Sequence, residues 1–239
     1  MPTFAIGSTV IPYTIEERPR RQHPAIRIDA NRQVTVLVPR GFDPDHVKEL
    51  LQRKSRWLVK HWTTPPLLAA PSAKQFVNGE SFWLKGDRLR LQVIGAEQAD
   101  RRLAVSERTL MVTIPLPAPA GAPILIRETI IKWYREEALT LFSARIHHYA
   151  PLVGAGATRL KIAEYKSRWG FCREDGLIAL NWRVIQAPLS VIDYVIVHEL
   201  THRRHPHHRP AFWDAVGRVL PEFLAEKQWL RQHGAELGW

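Results

Sequence analysis

A single cysteine, Cys172, stands among 239 residues. That excludes an internal disulfide and suits a reducing compartment. No apolar run approaches the ~18–20 residues that a membrane-spanning helix needs. The stretch from Met1 to Gly7 lacks the basic and long apolar regions of a secretory signal. The expectation is a cytoplasmic protein with no membrane partner. There is also no Gly-x-x-x-x-Gly-Lys-[Ser/Thr] loop, and no carboxylate cluster of the kind that holds Mg²⁺. Both absences argue against common phosphate chemistry. No internal repeat is present.

Acidic charge is in short supply. Lys and Arg number 34 against 23 Asp and Glu, a net charge of +11. A surplus of this size attracts nucleic acid, anionic lipid or acidic substrates. The charges are spread along the chain, however. The clearest cluster, Arg18, Arg20, Arg21 and Arg27 with His23, lacks the aromatics that stack single-stranded bases. Nucleic acid is therefore a possible partner of the basic surface, and a solvated Arg-rich surface is the plainer reading.

What is present is a β-rich region followed by a helical one. Residues 25–29 and 33–39 alternate or run β-branched around the turn Asp29-Ala30-Asn31-Arg32, which predicts a hairpin. Asp43 and Pro44 open an amphipathic helix over residues 44–62, and the prolines between Thr63 and Ser72 predict a loop. Strands are predicted at 82–84 and 89–94, and a hairpin at 102–105 and 109–114. Pro115, Pro117, Pro119, Gly121 and Pro123 punctuate the chain. The boundary is placed there, giving a β-rich N-terminal region with a helix over 1–117 and a helical region with a small sheet over 123–239. The fold class is α+β. The second region opens on a long helix at 123–149 and continues with strands at 159–163 and 177–182.

The chemistry concentrates after Pro188. Ser190-Val191-Ile192-Asp193 resembles a capping box, and an apolar helix follows that carries His198-Glu199-Leu200-Thr201-His202. Residues four apart share one helix face, about 6 Å along the axis. His198 and His202 can therefore reach one ion at roughly 2.0–2.1 Å each. Glu199 is rotated by about 100° and can act on a water beside that ion without displacing a ligand. A catalytic zinc needs a third protein ligand and an open position. His205, His207 and His208 are the candidates. Pro206 must break the helix. His208 follows His202 by six residues, the separation found in extended His-Glu-x-x-His metal sites.

These residues carry a resemblance. His198-Glu199-Leu200-Thr201-His202, Pro206, His208 and Phe212-Trp213 resemble the YgjP-like metallopeptidase family, a relative of the SprT-like zincins. So do Ser167 to Cys172 with Leu180-Asn181-Trp182-Arg183, and Phe76-x-x-Gly79-Glu80 with Trp83-Leu84-x-Gly86. Phe171 departs from the pattern, which usually has serine there. The resemblance implies a zincin-like region and one zinc ion per chain on His198, His202 and His208. It also implies Glu199 as general base and a peptide or protein substrate. Some relatives carry a nucleotide-hydrolase description, release of pyrophosphate from UTP. A zinc-stabilised nucleic-acid-binding module is a third reading, though structural zinc is normally closed by four protein ligands. Arg168 could bind a substrate carboxylate or phosphate, but the plainer reading is a structural arginine beneath the strand pair, and Cys172 reads as a packed thiol. Asn181 and Trp182 either line the cleft or reflect alternation along a half-buried strand, and His147 and His148 read as exposed.

Overall fold

Thr3–Ile6 (β1) and Thr9–Glu17 (β2) open the chain as an antiparallel pair in a computed structural model that describes residues 1–7, 9–29, 32–63, 73–97 and 102–239. The sequence signal missed β2 because Pro12 interrupts it. Pro12 sits opposite Thr3, where the β1 ladder begins, a position that tolerates a missing donor. Ala25–Ile28 (β3) and Val34–Val38 (β4) form the expected antiparallel pair, and β4 runs parallel to β2. The sheet order is β1-β2-β4-β3. Residues 30 and 31 of the expected turn, and 64–72 of the expected loop, lie outside the described residues. The single helix expected at 44–62 is two, Pro44–Arg53 (α1) and Ser55–Thr63 (α2), parted at Lys54. Asp43 caps the first, its carboxylate accepting from the Asp45 amide at 2.9 Å. Val36, Val47, Leu51 and Leu58 share a buried core, each contributing on the order of 2 kcal/mol.

These elements make one compact unit, Met1–Ala70, and Pro71–Trp239 makes a second. The second contains Ser81–Leu84 (β5), Asp87–Ala96 (β6), Arg102–Ser106 (β7) and Thr109–Pro115 (β8), ordered β5-β6-β8-β7. Gly79 has φ +83, which glycine supplies without a Cβ clash. Glu80 then reaches back to accept from the Phe76 amide at 2.6 Å, which accounts for the Phe-x-x-Gly-Glu pattern. Ala122–Val153 (α3) follows, with Ile126, Ile130, Tyr134, Ala138, Phe142 and Ile146 buried along one face at steps of four. These residues share a core with Leu91, Leu110 and Val112 of the β5–β8 sheet. The proline run at 115–123 therefore does not part the compact units. High proline density marks a linker on average, but the apolar inner faces of β6 and β8 need α3 to cover them.

Arg159–Ala163 (β9), Gly170–Cys172 (β10) and Leu177–Asn181 (β11) form a third sheet, ordered β10-β11-β9. β10 runs antiparallel to β11, and β9 parallel to it. A 3-10 turn at Trp182–Gln186 leads to Leu189–Thr201 (α4), then Pro210–Val219 (α5) and Phe223–His233 (α6). Helix α4 is buried nearly all round and packs against α3, α5, α6 and β10. Its start differs from the expected capping box. Pro188 is the N-cap and no side chain caps it. Asp193 instead faces α3, where its two oxygens accept from Arg145 Nε and Nη2 at 2.6 Å each. The Tyr149 hydroxyl donates to the same carboxylate at 3.1 Å. A buried carboxylate is held by a guanidinium rather than by a helix end, because pairing offsets the cost of burying charge. Among the described residues, no helix is long and apolar enough to cross a membrane.

Candidate metal centre

Burial of α4 decides which imidazoles can meet. His198 and His202 lie on its last turns, and the helix then tightens. The Arg204 amide bonds Thr201 O and the His205 amide bonds the same oxygen. The chain reverses through Pro206–Arg209 and restarts as α5 at Pro210, a proline placed where a helix needs no donor. That reversal returns His208 to the helix. His198, His202 and His208 each offer one ring nitrogen, and these atoms lie within 4.8 Å of one another. Nε2 of His208 stands 2.9 Å from Nε2 of His198. His205 and His207 do not join the group. His205 contributes its backbone carbonyl, 3.1 Å from His202 Nδ1. A proton on Nδ1 there leaves Nε2 of His202 free as a ligand atom, the usual way that an outer hydrogen bond sets a ligating tautomer.

The donor set fits a divalent transition ion. Burial pushes His198 down to about 3, with repulsion from His202, His208 and Lys227 adding to it. Burial also holds His202 and His208 below the ordinary histidine range. The three rings are thus neutral near pH 7, as metal ligation requires. A tetrahedral ion with bonds of 2.0–2.1 Å would set such nitrogens about 3.3 Å apart, close to the separation of His198 and His208. Phe212 lies beneath the cluster, its ring centroid 4.9, 4.7 and 4.7 Å from those of His198, His202 and His208. Trp213 stacks on His208 at 5.5 Å.

Glu199 sits at the floor of the same cleft. It is 5% exposed, and its Oε2 has no hydrogen-bond partner. Burial raises its carboxyl to about 8, opposed by the positive charge of Arg168. The cleft, about 680 Å³, runs between β10 on one side and His198, Glu199, His202 and His208 on the other. β10 is an outer strand, with β11 on one side only.

A family described as YgjP-like, metallopeptidase domain, matches residues 22–233. The chain belongs to this YgjP-like family. Membership makes it a metallopeptidase by class, a hydrolase acting on peptides. Among solved structures, the crystal structure of the metallopeptidase zymogen of Pyrococcus abyssi abylysin is similar at 22% identity. The TM-score is 0.35, over 39% of this chain and 92% of that chain. No curated protein matches.

Within the YgjP-like chain, several residues take roles that the sequence did not assign. Arg168 is not beneath the strand pair. It is exposed on the loop before β10, its guanidinium 5.9 Å from the Phe171 ring. The strand pair has its own buried polar residue, Asn181, whose amide donates to Tyr165 O at 2.9 Å and Arg168 O at 3.3 Å. Asn181 thereby shapes the loop that ends in Gly170. Trp182 is fully buried in the core. Cys172 is half-buried at the cleft wall, its thiol raised by burial. His147 and His148 are exposed as expected.

Gly170 is the position that sequence reasoning passed over. A Cβ there would stand 2.9 Å from Cγ and Oε1 of Glu199. Glycine inside a strand often marks such a close approach. Gly170→Ala is therefore expected to displace the Glu199 carboxylate and lower kcat by about 10²-fold, the scale of a 1 Å misplacement. Metal content should stay unchanged. Steady-state kinetics beside metal analysis checks this, and a Gly170→Ala enzyme with wild-type kcat would contradict it.

Proposed function

We propose that this chain is a zinc-dependent peptidase in which His198, His202 and His208 hold one zinc ion and Glu199 is the general base. The observation that carries the reading is the convergence of three imidazoles beside a carboxylate adjacent in sequence, with no fourth protein ligand in the group among the described residues. Three ligands leave a place for water or substrate, the mark of a catalytic rather than a structural site. When bound, the ion supplies Lewis-acid polarisation of a water and of the scissile carbonyl.

The chain's own residues do the rest. The peptide adds to the free side of β10 as an extended strand, since main-chain pairing at an open sheet edge is a general mode of peptide recognition. This holds the scissile bond over the cleft floor. Glu199 takes a proton from the attacking water at its carboxylate and passes it to the departing amine nitrogen. Burial alone disfavours the ionised carboxylate, and the positive charge of a bound ion beside it would favour the ionised form that a base needs. Phe212 and Trp213 keep the imidazoles oriented from below.

The test is hydrolysis of an unfolded protein by the purified chain. Cleavage is expected to stop on chelation and to return with added Zn²⁺. Cleavage indifferent to chelation would refute the metal-dependent reading. UTP incubated under the same conditions is expected to remain intact.

A further inference from the structure

A second, smaller hollow of about 310 Å³ opens beside the metal centre and shares His198 and Glu199 with it. Its apolar lining comes from Trp169 on the loop before β10, Val195 on α4 and Leu230 on α6. Gly170 and Tyr194 also line it, with two cations, Arg168 from the loop and Lys227 from α6. The geometry gives each cation a reason to stay there, and Arg168 acts on Glu199 through its charge without forming an ion pair with it. The Lys227 ammonium lies 3.7 Å over the Trp213 ring, the same ring that stacks on His208. Arg168 lies over Tyr165 and Phe171. Among the described residues, neither forms an ion pair with Asp or Glu. The one carboxylate lining the hollow is Glu199, which the proposed chemistry already uses.

We infer that this hollow is a specificity pocket for an acidic side chain, Asp or Glu, next to the scissile bond of the peptide substrate. The inference rests on the peptidase reading of the same centre. Its chemistry follows from the lining. An acidic side chain has an apolar stem and a charged end. Trp169, Val195 and Leu230 cover the stem, and Arg168 and Lys227 receive the carboxylate. A guanidinium offers a planar fork and an ammonium a point charge, so the two together fix the carboxylate in direction as well as in place. A basic side chain would meet two like charges there and be rejected, which is specificity by repulsion as well as attraction.

The test uses two peptides identical except for Glu or Gln beside the cleaved bond. Wild type is expected to favour the Glu peptide in kcat/KM by on the order of tenfold or more, the scale of a hydrogen bond to a charged group. In Lys227→Met and Arg168→Gln that ratio should fall several-fold, and in Lys227→Glu it should drop below one. The ratio is read within each variant, so a general loss of activity does not move it. The same two peptides are titrated by calorimetry against zinc-loaded Glu199→Gln protein, and the Glu peptide should bind tighter, by a margin that shrinks with salt. Equal affinities and a kcat/KM ratio near one in wild type would overturn the pocket while leaving the peptidase intact. A preference that survives in all three variants would overturn it as well. If no peptide is cleaved by wild type but the Glu peptide binds preferentially, the peptidase reading fails and the acidic pocket stands. Displacement of a labelled Glu peptide by UTP at much lower concentration than by the unlabelled peptide would overturn the pocket too, assigning the cations to phosphate instead.

Discussion

Glu199→Gln is expected to keep its metal and to lose peptide hydrolysis by about 10³-fold, within the range that a positioned proton-transfer group supplies. The substitution preserves shape. It also removes a buried carboxylate whose Oε2 has no partner, so the fold should tolerate it. What disappears is the ability to accept a proton, because an amide oxygen near Arg168 cannot play that part. Kinetics measured beside metal content separate the two effects. A variant that is metal-loaded and fully active would remove Glu199 from the chemistry, and one that is inactive because it is metal-free would assign it a different role.

Asp193→Ala is expected to destabilise the fold by about 2–4 kcal/mol, since removing one partner strands the other in a poorly solvated place. Asp193 is 6% exposed, while the Arg145 side chain is 25% exposed, and that partial solvation lowers the figure from the fully buried case. Asp193 lies five residues before His198 on α4, and Arg145 ties that helix to α3. The loss should therefore appear twice, as a lower urea midpoint with an unchanged slope and as weaker metal binding. A double change, Arg145→Met with Asp193→Leu, is expected to recover much of the stability by burying apolar volume instead. An Asp193→Ala protein as stable as wild type would show that α4 is held by its apolar packing alone.

The grouping of the candidate ligands was more legible than the long-range packing around them, and the reasons are physical. Two histidines four apart must share a helix face, so His198, Glu199 and His202 follow from spacing alone. His208 is different. Three histidines compete around Pro206, and only the backbone reversal before α5 decides which ring returns. Local alternation marked β6 and β8 well, since each buries one face, while β4, buried on both faces, was marked by its β-branched run. Strand β2 hid behind Pro12, and the break at Lys54 left the helical period of α1 and α2 unaltered. Long-range partners were the hardest part. Nothing near Asp193 announces that Arg145, 48 residues away, takes the carboxylate that would otherwise read as a helix cap. Arg168 and Gly170 were visible as residues, but their nearness to Glu199 depends on β10 packing against α4.

Titration of metal-free protein with Zn²⁺ shows whether three imidazoles hold one catalytic ion. Wild type, His205→Ala and His207→Ala should each bind about one equivalent with similar affinity, and His208→Ala should bind on the order of 10²-fold or more weakly, as expected when one of three protein ligands is lost. Wild-type protein that takes up no ion, or a His208→Ala variant that binds zinc as tightly as wild type, would contradict the account.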